Sequence, residues 1–254
     1  MKLLTYLFCV LILVSSCGKK EEPAAPVAQN TEESAQSATV DPATSGEIKG
    51  VILFEGEAPP RKELPVKGNP ECSVLAHGSI LSEDLLAKDG KLANVFIYVK
   101  EGLENFKFNP PAEALEIDNT KCVYVPHVTG AQTGQPIKFV NNDPTLHNIH
   151  ALPKNQPGFN LGLPFEGMKQ TKKFAIPEVM IPLKCDVHPW MLGYVGILPH
   201  PYFAVSGEDG SFSIKNLPPR NYVLEAWHET LGTQTLPVTV GAKEAKEISF
   251  TFKR

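Results

Sequence analysis

Twenty-three prolines are spread through the 254 residues of this chain. Each bars a helix interior, because it lacks the amide donor and its ring clashes with the preceding turn. Long helices are thereby excluded. Between clusters of Pro, Gly and Asn lie short runs rich in Val, Ile, Phe and Tyr, the pattern of strands separated by turns. The expected strands are Ile48–Phe54, Ala93–Val99, Val123–Val125, Pro136–Asn141, Lys172–Ile176, Val179–Lys184, Tyr194–Leu198, Ser211–Lys215, Tyr222–His228 and Glu247–Phe252. Only Ser82–Ala87 hints at a helical turn. The part of the chain that can fold is about 200 residues long, enough for one large or two small domains. The fold class is therefore all-β, built as β-sandwiches.

A sandwich gathers its loops at two poles, so residues distant in sequence can meet there. Two segments of this chain invite such a meeting. Cys185-Asp186-Val187-His188-Pro189-Trp190-Met191 carries a thiol, an imidazole and a thioether in one short loop. Upstream, Asn141-Asn142-Asp143-Pro144-Thr145-Leu146-His147-Asn148-Ile149-His150 can add a second imidazole, from His147 or from His150. Two imidazoles, one thiolate and a weak axial thioether form the ligand set of a blue-copper electron-transfer site. Cys185 and His188 alone would be half of a zinc site, but a structural zinc site brings a second close ligand pair, which is missing here. A Met on its own is most often core filler; its place three residues after a His and six after a Cys favours a ligand.

These residues resemble the cupredoxins. The Cys-x2-His-x2-Met spacing and the run His147-Asn148-Ile149-His150 are most similar to the short-loop, amicyanin-like members, and the resemblance covers roughly Cys122 to Pro199. It implies a Greek-key β-sandwich holding one type 1 copper, with His147, Cys185, His188 and Met191 as ligands and His150 outside the site. It further implies that Asn148 ties the two ligand segments together. Trp190 and Leu192 would surround an exposed edge of His188, where electrons would enter and leave. The function implied is single-electron transfer with redox partner proteins, not catalysis. A copper-handling protein or a non-redox binding module are the rival readings. Only four Met occur in the chain, against the Met- and His-rich tracts expected of copper handling.

A second resemblance lies in the C-terminal part. Asp209-Gly210-Ser211-Phe212-Ser213-Ile214, Leu217-Pro218-Pro219 and Tyr222-Val223-Leu224 are similar to the carboxypeptidase regulatory-like, or transthyretin-like, sandwich. That module needs early strands, which Lys49–Gly56 and Val95–Val99 would provide. The expected organisation is thus a smaller regulatory-like sandwich contributed by residues 47–104 and 201–254, with the cupredoxin domain, 105–200, inserted between them. Two consecutive domains are the alternative. Proteins described as methylamine utilisation proteins carry a similar arrangement, including a run like His200–Val205.

Residues 1–16 read as a lipoprotein signal peptide: Lys2, an apolar run from Leu3 to Val14, then Ser15-Ser16 before Cys17. The run Val14–Cys17 resembles a bacterial lipobox, so Cys17 would be lipidated, and several acyl chains anchor stably. Gly18 after it favours the outer membrane, facing the periplasm. From residue 17 to 46 the chain is polar and rich in Pro, Ala, Ser and Thr, a composition that stays disordered and reaches on the order of 30 Å as a flexible coil.

The cysteines then divide by role. Cys9 leaves with the signal, Cys17 takes lipid and Cys185 serves the metal, which leaves Cys72 and Cys122 as an even pair in an oxidising compartment. A disulfide follows, worth roughly 4 kcal/mol on the chain-entropy model; two free thiols are the alternative. The net charge of −4 comes with no basic run, which argues against nucleic acid. His77, His127, His200 and the Trp227-His228-Glu229 run read as surface or hydrogen-bonded residues. No Ser-His-Asp arrangement or phosphate-binding Gly loop is present. The membrane is contacted through the lipid alone, and the partners expected are redox proteins of the cell envelope.

Overall fold

The computed structural model describes residues 40–254; the signal segment, Cys17 and most of the tether lie outside the described residues. The chain is all-β. Its first strands are β1 (Gly46–Glu55), β2 (Ala87–Lys88), β3 (Lys91–Leu92) and β4 (Phe96–Glu101). Next come β5 (Leu115–Thr120), β6 (Val123–Val125), β7 (Val128–Gln132), β8 (Ile137–Asn141), β9 (His147–Ala151), β10 (Phe159–Leu163), β11 (Lys169–Lys172), β12 (Glu178–Lys184) and β13 (Leu192–Leu198). The last are β14 (Phe203–Val205), β15 (Ser211–Leu217), β16 (Arg220–His228), β17 (Gly232–Val240) and β18 (Ala245–Lys253).

These strands form two pairs of sheets. In the first pair, one sheet runs β15-β1-β3-β2 with β18 also on β1, and the other runs β14-β4-β16-β17. In the second pair the orders are β10-β9-β12-β13-β7 and β11-β8-β5-β6. The first sandwich is thus assembled from both ends of the described chain, and the second from the continuous stretch between them. β4 and β14 are antiparallel neighbours, Phe203 opposite Tyr98, so the chain leaves the first sandwich and returns to it at one place.

Alternation explains the strands. Along β16, Tyr222, Leu224, Ala226 and His228 are buried while the residues between them are not, the period of two that a half-buried strand requires. Tyr222, Leu224 and Ala226 pack with Ile48, Ile52, Ile97 and Phe252 in the first core. Ile117, Phe139, Ile149, Leu183 and Val195 fill the second. The sandwiches meet at an aromatic layer containing Phe96, with Phe203 packed against it. Glycines permit this approach: a Cβ on Gly196 would lie 2.5 Å from the Phe96 ring, and one on Gly130 would lie 2.6 Å from that of Phe203.

The expected helical turn at Ser82–Ala87 is absent; Ser82 instead accepts the Lys62 amide N–H. The α-helix of the described residues is α1, Pro70–Leu75. Asn69 caps it by accepting the Cys72 N–H at 3.0 Å, Pro70 opens it and Glu71 follows in the first turn. Although α1 precedes β2 in sequence, Val66 and Cys72 pack in the core of the second sandwich, not the first. Lys172–Ile176, expected as a strand, pairs only at its start, because β11 ends at Lys172. Among the described residues no helix is long and apolar enough to cross a membrane.

Candidate metal centre

His147 opens β9, and Cys185 follows immediately after β12, its antiparallel neighbour. This pairing brings the two distant segments to one pole. The loop from Cys185 to β13 then turns back tightly: the Met191 N–H donates to the His188 carbonyl at 2.9 Å, and the Cys185 N–H to the Met191 carbonyl at 3.2 Å. Asn148 joins the segments. Its Oδ1 accepts the Asp186 N–H at 2.8 Å and the Cys185 thiol at 3.3 Å, while its Nδ2 donates to Asn160 and Asp186. Tyr124 donates its hydroxyl to the Asn148 carbonyl at 2.6 Å from the facing sheet.

The result is a convergence of three donors. Nδ1 of His147 lies 3.0 Å from Nδ1 of His188, and Cys185 Sγ lies 3.7 Å from the latter. Both imidazoles are 0% exposed and Cys185 is 3% exposed. An ion held at about 2.0 Å from nitrogen and 2.3 Å from sulfur separates its donors by about 3–4 Å, so these residues fit one. Met191 is buried in the same core as Cys185. His150 is not part of the group: it lies on the outer side, its Nδ1 3.0 Å from the Asp186 carboxylate.

Asp143 sets the polarity of the site. Its carboxylate accepts the N–H groups of Lys121 at 2.7 Å and Cys122 at 2.8 Å, two residues in the left-handed region at the β5–β6 turn. It also accepts from His147 Nε2 at 2.9 Å. Because a carboxylate only accepts, Nε2 of His147 carries a proton, and Nδ1 is the ring nitrogen turned towards His188. Asn141 supports this loop, donating to the Thr145 and Leu163 carbonyls and accepting the Asp143 N–H.

Burial pushes the Cys185 thiol up, but hydrogen bonds from His147 and from the Asn148, His188 and Val187 backbone outweigh it, and the thiol sits below its ordinary range. The shift is in the direction of the thiolate, the ligating form. Burial and the neighbouring His147 charge hold His188 below the usual imidazole range, which favours its neutral, ligating form.

The edge of His188 is closed, contrary to the sequence expectation. Its Nε2 lies 3.0 Å from the Asn69 amide, at the start of α1. The physical reason is a cross-link: Cys72 on α1 is joined to Cys122 on the β5–β6 turn, with the Cα atoms 5.7 Å apart. Glu71 also meets the Thr145 hydroxyl. Trp190 lies beside the ring, centroids 5.1 Å apart, and donates its indole N–H to the Cys122 carbonyl.

Copper proteins are among the solved structures similar to this chain. One is a purple cupredoxin from Nitrosopumilus maritimus, 23% identical, with 33% of this chain and 98% of that chain covered and a TM-score of 0.28. Another is an amicyanin variant in its Cu(I) form, 17% identical, covering 40% of this chain and 97% of the other at a TM-score of 0.30. A copper-containing nitrite reductase from Thermus scotoductus is 16% identical, covering 59% of this chain and 28% of that one at a TM-score of 0.32. No family model matches the sequence, and no curated protein matches it. At such low scores these likenesses do not identify the site, which rests on its own donor atoms.

Sequence reasoning missed Asp143 as a partner of His147, although it stands in the quoted Asn141–His150 run. It also missed Asn69, whose Asn-Pro-Glu sequence ahead of Cys72 is a helix-start signal.

Proposed function

We propose that His147, Cys185 and His188 hold one copper ion, with Met191 as a fourth, weaker donor, and that the protein carries single electrons between redox partners. The observation that carries this reading is the meeting of two imidazole Nδ1 atoms and a thiol in a buried pocket. When bound, copper supplies a one-electron Cu(I)/Cu(II) couple, for which this mixture of soft sulfur and imidazole is suited. Asp143 and Asn148 hold the donors in place, so little of the chain need rearrange when the charge changes. Trp190, partly exposed beside His188, offers an aromatic route to the surface.

In this reading the chain is a carrier, not an enzyme, and its first sandwich is a regulatory-like module. Cys17 tethers it through lipid to a bacterial outer membrane on the periplasmic side, where its partners are envelope proteins. The test is a visible spectrum of the protein with one equivalent of Cu(II). An intense thiolate-to-copper band that bleaches with ascorbate, returns on oxidation and is lost in Cys185→Ser is expected. A folded protein with no such band refutes the reading.

A further inference from the structure

The Cys72–Cys122 bridge lies against the same imidazole. One ligating atom from each of Cys72, Cys122 and His188 lies within 4.8 Å of the other two, and all three residues are 0% exposed. His188 therefore stands between two sources of sulfur, the Cys185 thiol on one side and the bridged pair on another. We infer that Cys72, Cys122 and His188 form a second, redox-gated site for a soft metal ion, Cu(I) by class, that exists only when the bridge is reduced. This inference does not depend on copper occupying the first centre.

The chemistry of the donors requires the gate. In the bridged form the sulfurs are bonded to each other and have no thiolate to offer. A dithiol reductant delivers two electrons and two protons: its own two S–H groups become a disulfide, the Cys72–Cys122 bond breaks, and two thiols form. Cu(I) then displaces the two thiol protons and meets two thiolates and one imidazole nitrogen, soft donors of the kind that select it. Three donors within 4.8 Å of one another already approach the spread found around a single ion.

The segment carrying Cys72 has little strand pairing of its own. Between β1 and β2 the strand pairing is a single isolated bridge, Glu63 with Leu81. α1 is held to the second sandwich by the disulfide, by the Asn69–His188 and Thr145–Glu71 contacts and by packing around Val66 and Cys72. Regions with few such ties open locally without global unfolding. Reduction removes the covalent tie and creates the two ligands in one event.

The experiment uses the full chain carrying Cys185→Ser, which removes the thiolate of the first centre. Cu(I) affinity is measured against a chromogenic chelator before and after treatment with a dithiol, with excess reductant removed under anaerobic conditions. Reduction should tighten binding of one Cu(I) on the order of 100-fold, and bound Cu(I) should protect Cys72 and Cys122 from alkylation by iodoacetamide. Adding His188→Ala should return at least about 10-fold of that gain. Equal affinity before and after reduction overturns the site. A gain unchanged by His188→Ala reduces it to a bare dithiol and overturns it as well. Loss of the folded far-ultraviolet dichroism on reduction does the same, since no preformed site would survive.

Discussion

Each sandwich buries two histidines, and the two pairs are treated in opposite ways. In the first sandwich, His200 gives Nε2 to the Val99 carbonyl at 2.8 Å and receives the Tyr202 N–H on Nδ1, so both nitrogens are spent on backbone. His228 turns Nδ1 to the Thr230 backbone and hydroxyl. In the second, His147 and His188 spend their outer nitrogens on Asp143 and Asn69 and turn the inner ones to each other and to Cys185. Burial alone therefore does not mark a candidate ligand. What marks it is a buried nitrogen left facing other donors after the rest of the ring has been satisfied.

The sharpest way to break this contrast is Asp143→Ala. It removes the acceptor for Lys121, Cys122 and His147 together and should cost about 3–5 kcal/mol of stability, as losing one partner of a buried charged network does. A denaturant melt showing less than about 1 kcal/mol would make Asp143 a bystander.

Acid should next separate His147 from His200 and His228. Burial holds His200 and His228 at about 4, against the usual 6.5. As pH falls from 6.5 towards 4 the unfolded chain takes up protons that these native rings refuse, so stability falls with pH, by roughly 3 kcal/mol per ring at most. His147 behaves in the opposite sense: burial lowers it, but Asp143 and Cys185 raise it further, so its contribution is present in acid and is lost as pH rises through its elevated folded value. His228→Gln should flatten the acid limb of a pH–stability profile; an unaltered slope would contradict its neutral burial.

Asn148→Ala tests the clamp between the ligand segments and should weaken copper binding about 10–100-fold, as losses around metal ligands do, read by chelator competition. An unchanged affinity would show that β9 and the Cys185 loop hold their places without it. The mildest change is Met191→Leu, a nearly volume-conserving swap that should cost less than about 1.5 kcal/mol. The blue band should persist while the potential rises, because a donor to the oxidised ion is lost. A constant potential in voltammetry would remove Met191 from the ligand set.

Much of this was legible in the sequence because strands carry local signatures. Tyr222–His228 and Val179–Lys184 alternate or cluster apolar residues strongly enough to be read directly, and each gained only a residue or two at its ends. β9 was not read, because His147-Asn148-Ile149-His150 carries polar side chains for reasons of site chemistry, not of strand propensity. β17 was missed because Pro237 interrupts it; an edge strand tolerates that proline. That His147, Cys185 and His188 would meet was implied by the cupredoxin resemblance, and the structure brings the three together. The cover of the centre could not be read, since the contact between Asn69 and His188 spans 119 positions and depends on where a cross-link pulls a six-residue helix.

The parallel pairing of β1 with β18 carries a consequence for synthesis. Nine residue pairs, from Glu47 with Ala245 to Glu55 with Lys253, close the first sandwich with the last strand described. As the chain emerges from the ribosome, every strand of the second sandwich is available before β1 can meet this neighbour. Ile52 and Phe54 remain without Phe250 and Phe252 until β18 has been made. A chain cut short beyond β13 would carry His147, Cys185 and His188 yet display an apolar strand paired only with β3, the mark by which quality control recognises unfinished proteins.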